Sequence, residues 1–159
     1  MSDLLDPRLI IHPQRTTLMA ALAQQWLRTG TEAIAARGRF DCALAGGSTP
    51  RELYALLGQP AHAKHLDWSK THIFWGDERC VGPEDPDSNY RMTREALLQK
   101  VPLPAANIHR LHGESEPSVA AEVYESELRQ HFGAEARFDL VLLGLGTDGH
   151  TASLLPGSP

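Results

Sequence analysis

The run Phe138-Asp139-Leu140-Val141-Leu142-Leu143, apolar but for one aspartate and ended by a glycine, constrains the fold more than any other stretch. A strand with one wet face alternates apolar and polar residues, whereas a strand covered on both faces of a parallel sheet is apolar nearly throughout. The run therefore predicts a buried parallel strand. It leads into Gly144-Leu145-Gly146-Thr147-Asp148-Gly149-His150, where three glycines let the backbone turn sharply and approach a ligand. Thr151 to Leu155 are expected to open a helix, which puts His150 at the carboxyl end of a strand and near a helix N-terminus. In open α/β sheets ligands bind in that crevice. A helix N-terminus favours anions and disfavours imidazolium, so His150, with an ordinary pKa of about 6.5, is a candidate to accept a proton from water.

The same turn matches the dinucleotide fingerprint G-x-G-x-x-G. That fingerprint requires an acidic residue roughly 20 positions further on and presents bare backbone to its ligand. Neither condition is met here, because the sequence stops before that position and His150 stands in the turn. Dinucleotide binding is disfavoured.

The strand, glycine turn, helix order occurs twice more. Phe40 to Ala45 runs into Gly46-Gly47-Ser48-Thr49-Pro50, after which Leu53, Tyr54, Leu56 and Leu57 recur with helical spacing. Thr49 as N-cap, Pro50 at the first helical position and Glu52 two further on predict a capping box, and the glycines let amides line a phosphate cradle. The G-K-[ST] ending of a nucleotide P-loop is missing, which argues against a nucleoside triphosphatase. Thr71 to Trp75 is a second strand, ending in Gly76-Asp77-Glu78-Arg79. Asp77 is a candidate to orient Arg79 or a ligand hydroxyl; read alone, the triplet favours a self-compensated surface ion cluster.

Between these units, Thr16 or Thr17 is expected to cap a helix carrying Leu18, Leu22, Trp26 and Leu27 and continuing past Gly30 to Gly38. Gly58 to Lys70 reads as a polar linker. Ser88 or Asn89 is expected to cap a helix ending before Pro102, with a short third strand around Asn107 to Leu111. Pro117 is expected to open a helix stopped by Gly133. Alternating strands and helices predict one α/β domain over residues 1–159, built on a Rossmann-like, doubly wound, mostly parallel sheet with helices on both faces.

Composition narrows the function classes. A net charge of −5 argues against a general nucleic-acid surface, so an anionic ligand must be held by local positive charge. No apolar run approaches the roughly 20 residues of a membrane span, and MSDLLDPRLI lacks the pattern of a secretory signal. A cytoplasmic protein without membrane partners is expected. Cys42 and Cys80 read as reduced packing cysteines. The histidine pairs His62/His65 and His109/His112 lack the neighbours that complete a metal site and read as solvated or packing residues.

Three segments, LAGGSTPRELY at Leu44 to Tyr54, WGDERCVGPEDPDSNYRM at Trp75 to Met92 and LGLGTDGHTASLLPGSP at Leu143 to Pro159, together resemble the 6-phosphogluconolactonase family within the glucosamine/galactosamine-6-phosphate isomerase superfamily. The resemblance runs through nearly the whole chain and implies a fold of the NagB/RpiA/CoA transferase-like type. It implies hydrolysis of 6-phospho-D-glucono-1,5-lactone, in the oxidative pentose phosphate pathway, without metal or organic cofactor. In that reading Gly46, Gly47, Ser48 and Thr49 contact the phosphosugar and Asp77, Arg79 and Asn89 shape the pocket. His150 is the general base, Asp148 orients it or the water, and Gly146 and Gly149 supply amides of the glycine turn. Glucosamine-6-phosphate deaminases share the Asp-Gly-His element but continue I-A-F-N-E-P, where this sequence reads Thr151-Ala152-Ser153-Leu154-Leu155-Pro156. Gly82 stands where the family more commonly has proline.

Members of the family continue beyond the equivalent of Pro159. The resemblance therefore implies that the C-terminal third, with further phosphate ligands, is missing and that the run Phe138 to Leu143 has an unpaired edge. A non-catalytic phosphosugar-binding fragment is the alternative to an enzyme. Oligomeric state is left open, a monomer being compatible with the complete enzyme.

Overall fold

The computed structural model describes residues 8–157, so the signal-peptide reading falls largely outside it. Strands β1 (Phe40–Leu44) and β2 (Thr71–Trp75) pair in parallel, from Phe40↔Thr71 to Leu44↔Trp75. Helix α1 (Arg15–Arg37) precedes β1, and α2 (Ser48–Leu57) and the short α3 (Pro60–Ala63) connect β1 to β2. Helices α4 (Asn89–Ala96) and α5 (Pro117–Phe132) follow, and then β3 (Leu140–Val141) pairs with β1 on its free side. The order β2-β1-β3 puts β1 in the middle, and all five of its residues are buried.

Side chains alternate across a strand, so the two faces of the sheet have different chemistry. Phe40, Cys42, Leu44, Ile73 and Trp75 face the main core with Met19, Ala23 and Trp26 of α1, Leu53, Tyr54 and Leu57 of α2 and Ala96 of α4. Trp26 meets Phe40 edge-on, with ring centroids 5.9 Å apart. Full burial of an aliphatic or aromatic side chain of this kind stabilises by about 1.5–3 kcal/mol relative to exposure, so this face supplies most of the fold's cohesion. The opposite face presents Asp41, His72 and Phe74 to α5. There Phe138 packs edge-on against Phe74, and Tyr124 of α5 bonds both the N–H and the C=O of Trp75 at 3.0 and 3.1 Å. Helices thus cover both faces of a parallel sheet.

Several local expectations are corrected. Gln14, not Thr16 or Thr17, precedes α1, and the Thr17 hydroxyl donates to the Gln14 carbonyl instead of capping. Helix α2 starts at Ser48 after Gly47, and Glu52 turns to Arg15 at 2.5 Å, so the Thr49 capping box does not form. Pro50 still fits, because the first-turn amides have no intrahelical acceptors. The linker after Gly58 contains α3. The strand expected at Asn107 to Leu111 is reduced to one bridge, Ile73↔Ile108, since the Asn107 side chain occupies the Ser69 and Thr71 carbonyls. Cys42 packs in the core as expected, but Cys80 is exposed.

The two corrections that bear on function lie at the carboxyl end. Only Leu140 and Val141 of the long apolar run are strand, and the run is not buried on both sides: Val141 is 47% and Leu143 63% exposed. Strand β3 is an edge, as the family resemblance implied. Among the described residues no helix follows His150; Thr151 and Leu154 form a bridge, and Ala152 has φ 49°. Pro156 disfavours helical geometry at Leu155, and five residues are too few to nucleate a helix without support.

Candidate active site

The carboxyl ends of β1 and β2 and the turn after β3 converge on one cavity of about 500 Å³. The loop after β1 is fixed from below by Tyr54, whose buried hydroxyl donates to Ala45 O at 2.8 Å and accepts from Ala45 N at 3.1 Å. Burial pushes the phenol well above its ordinary pKa, and the Ala45 backbone contact offsets only part of that rise. Gly46, Gly47, Ser48 and Thr49 then line the cavity at the start of α2. Gly46 has to be glycine, because a Cβ there would overlap the Asn89 side-chain amide.

Asp77, Arg79 and Asn89 form the second wall. Asn89 Nδ2 donates to the Asp77 carbonyl at 3.2 Å and to Asp77 Oδ1 at 3.3 Å. Arg79 and Asn89 are positioned by Glu78, whose carboxylate accepts from the amides of Arg79, Asn89 and Tyr90 and from the Ser88 hydroxyl, over 2.7–3.0 Å. A carboxylate on the first amides of a helix is favoured by their unpaired N–H groups and by the helix dipole. Ser88 caps the same helix by accepting from Arg91 N at 3.1 Å. The Asp77-Glu78-Arg79 triplet is therefore not a self-compensated ion cluster: Glu78 takes the Arg79 amide and not its guanidinium. Among the described residues Arg79 has no carboxylate partner, and it stands exposed on the cavity wall as its cation. Asp77 does not orient Arg79.

The third wall is Leu142 to Gly146 with His150. His150 Nδ1 lies 2.5 Å from Asp148 Oδ1, and this contact holds the Asp148 carboxyl below the usual carboxylate range. An ionised carboxylate only accepts hydrogen bonds, so Nδ1 carries the proton, and in the uncharged ring the lone pair is then at Nε2. Among the described residues no helix follows His150, so the helix dipole expected to disfavour imidazolium is not there, and Asp148 orients the ring. Gly146 is the condition for this geometry, because a Cβ there would collide with the His150 ring. Asp148 and Gly149 do not line the cavity; Asp148 stands behind the imidazole, and Gly149 turns the chain with φ 86°.

Sequence reasoning missed Glu78 as the organiser of this wall, although an acid ahead of Ser88 and Asn89 was a signal for a helix start. It also missed Ser153, whose hydroxyl donates to Asp77 Oδ2 at 2.7 Å and joins the second and third walls. No local pattern marks that contact.

Together, fold and cavity define an α/β protein of the doubly wound type whose cavity is lined by Arg79 and by His150, which is paired with Asp148. Residues 13–159 match the family described as glucosamine-6-phosphate isomerases/6-phosphogluconolactonase. A 6-phosphogluconolactonase of Synechocystis sp. is 51% identical over 134 residues, covering 81% of this chain and 54% of that protein. The crystal structure of the devB protein superposes with a TM-score of 0.85 at 40% identity, over 92% of this chain and 61% of that one. The 6-phosphogluconolactonase of Trypanosoma brucei gives a TM-score of 0.83 at 31% identity, over 96% of this chain and 65% of that one. The chain belongs to the glucosamine-6-phosphate isomerase/6-phosphogluconolactonase family, and it spans between half and two thirds of the length of these relatives.

Proposed function

We propose that this chain carries the base and oxyanion side of a 6-phosphogluconolactonase, which hydrolyses 6-phospho-D-glucono-1,5-lactone to 6-phospho-D-gluconate. The observation that carries the reading is the His150–Asp148 pair, which leaves Nε2 as a basic nitrogen on a cavity of sugar-phosphate size. Water gives a proton to Nε2 as its oxygen bonds to the lactone carbonyl carbon. The carbonyl oxygen takes the negative charge and is stabilised by the Arg79 guanidinium and by amides of the glycine turns. The ring C–O bond then breaks, the departing ring oxygen takes the proton back from His150, and the new carboxylic acid ionises. The Gly46 to Thr49 amides at the start of α2 and the polar wall of Asp77 and Asn89 hold the phosphosugar. None of these steps calls for a metal or an organic cofactor. The proposed setting is the cytoplasm, in keeping with two free cysteines.

Acid release from freshly generated 6-phosphogluconolactone tests the proposal. It should be measured for this chain and for the chain continued to the length of its relatives, each with and without His150→Ala. Lactone-dependent acid release that His150→Ala removes supports the reading. Ammonia release from glucosamine 6-phosphate, with no lactonase activity in either length, overturns it.

A further inference from the structure

A second cluster lies on the α5 face of the sheet, away from the cavity. His72 sits early in β2, about 10 Å along the strand from Trp75, where the cavity wall begins. Its Nδ1 is 3.1 Å from Nε2 of His109, and the two rings are stacked with centroids 5.3 Å apart. His131, from the last turn of α5, closes the group with its ring centroid 4.7 Å from that of His72 and 5.0 Å from that of His109. One ring nitrogen from each of the three lies within 4.8 Å of the others. Two carboxylates stand directly behind the rings. Glu127 Oε1 is 2.7 Å from His109 Nδ1, and Asp41 Oδ1 is 2.7 Å from His131 Nε2. Arg39 occupies the other Asp41 oxygen at 2.8 Å.

We propose that His72, His109 and His131 bind a single transition-metal dication of the zinc type. The outward nitrogens of His109 and His131 are each engaged by a carboxylate, which leaves His109 Nε2 and His131 Nδ1 to the ion alongside His72 Nδ1. A carboxylate behind a ligating imidazole fixes the ring and raises its basicity, as in many zinc centres. Tetrahedral zinc with Zn–N distances of about 2.0–2.1 Å sets neighbouring nitrogens roughly 3.3 Å apart. The His72–His109 pair already has nearly that spacing, and torsions of the His131 side chain close the third side. Three imidazoles select zinc, copper or nickel over calcium or magnesium, which take oxygen ligands. Side chains of His109 and His131 are 11% and 12% exposed, so the ion has an entry path but little open water around it. The ligands come from β2, from the segment after the Ile73↔Ile108 bridge and from α5, so bound metal clamps α5 to the sheet. The site is independent of the hydrolytic reading.

The test uses Zn²⁺ and Co²⁺ on the purified, chelator-stripped chain. Histidine ring ¹⁵N spectra of the unsubstituted chain should show one equivalent of Zn²⁺ moving His72, His109 and His131 together, with Co²⁺ giving the intense visible bands of a tetrahedral site. His109→Gln or His131→Gln should weaken Zn²⁺ binding on the order of 100-fold, and Glu127→Gln by about 10-fold. His62→Gln, outside the cluster, should leave it unchanged. Zn²⁺ that shifts only His150, or that leaves these three rings unmoved in the unsubstituted chain, overturns the proposal whether or not the variants fold.

Discussion

Ser153 Oγ donates to Asp77 Oδ2 at 2.7 Å, tying the turn after β3 to the end of β2 across 76 residues of sequence. The contact matters because, among the described residues, no helix anchors the chain after His150. A hydrogen bond to a charged acceptor is worth about 1.5–3 kcal/mol when it is well formed, and exposure here brings it to the low end. Ser153→Ala is therefore expected to lower kcat/KM about 10-fold, with most of the change in KM because the two walls separate. Steady-state lactone hydrolysis checks it; an unchanged KM would detach Ser153 from the site.

Asp148→Asn keeps the shape behind His150 but replaces an obligate acceptor with a group that also donates. The ring is then free to take the other tautomer, with its proton at Nε2 and no lone pair toward water. The expected result is a fall in kcat of about 100-fold, within the range of a general-base contribution, at little cost in KM. Equal losses in kcat and in binding of the product 6-phosphogluconate would assign Asp148 to the ligand instead.

Asp148 also reports the pair directly. Its carboxyl is held below its ordinary value of 3.8 by the bond to His150. A folded-state value depressed in this way adds stability that is present above the unfolded value and disappears as pH falls through the folded one. Carboxyl ¹³C titration by NMR should place Asp148 below that ordinary value in the unsubstituted chain and nearer to it in His150→Ala. Identical titrations would break the pair.

Tyr54→Phe removes the side chain that, among the described residues, pairs both backbone groups of buried Ala45. Leaving buried polar groups unpaired costs about 1–3 kcal/mol, which should appear as a lower urea midpoint at constant slope. Unchanged stability would mean that the loop after β1 is held by α2 packing alone.

Much of this geometry was legible because it is periodic or local. The strands at Phe40 and Thr71 read as strands ended by glycine, and the two are neighbours in a parallel sheet. Gly46 to Thr49, Asp77, Arg79, Asn89, Gly146 and His150 do line one cavity. The rest depends on tertiary competition. Glu52 fits a capping box until Arg15 of α1 takes it. Phe138 to Leu143 reads as doubly covered, yet among the described residues only β1 pairs with it, and Val141 and Leu143 face solvent. The polar group around His72 was hidden because its three histidines are 22 to 59 positions apart in sequence, joined only when the Asp41↔His72 register and the end of α5 meet. Histidine spacing along the chain carries no trace of that.

The central claim is that His150 Nε2 takes the proton from the attacking water. Its most direct measurement is kcat for 6-phosphogluconolactone hydrolysis in His150→Ala, in the chain continued to the length of its relatives, with substrate binding followed in parallel. The account predicts a kcat lowered about 100- to 10,000-fold with affinity nearly unchanged. An undiminished kcat would contradict it.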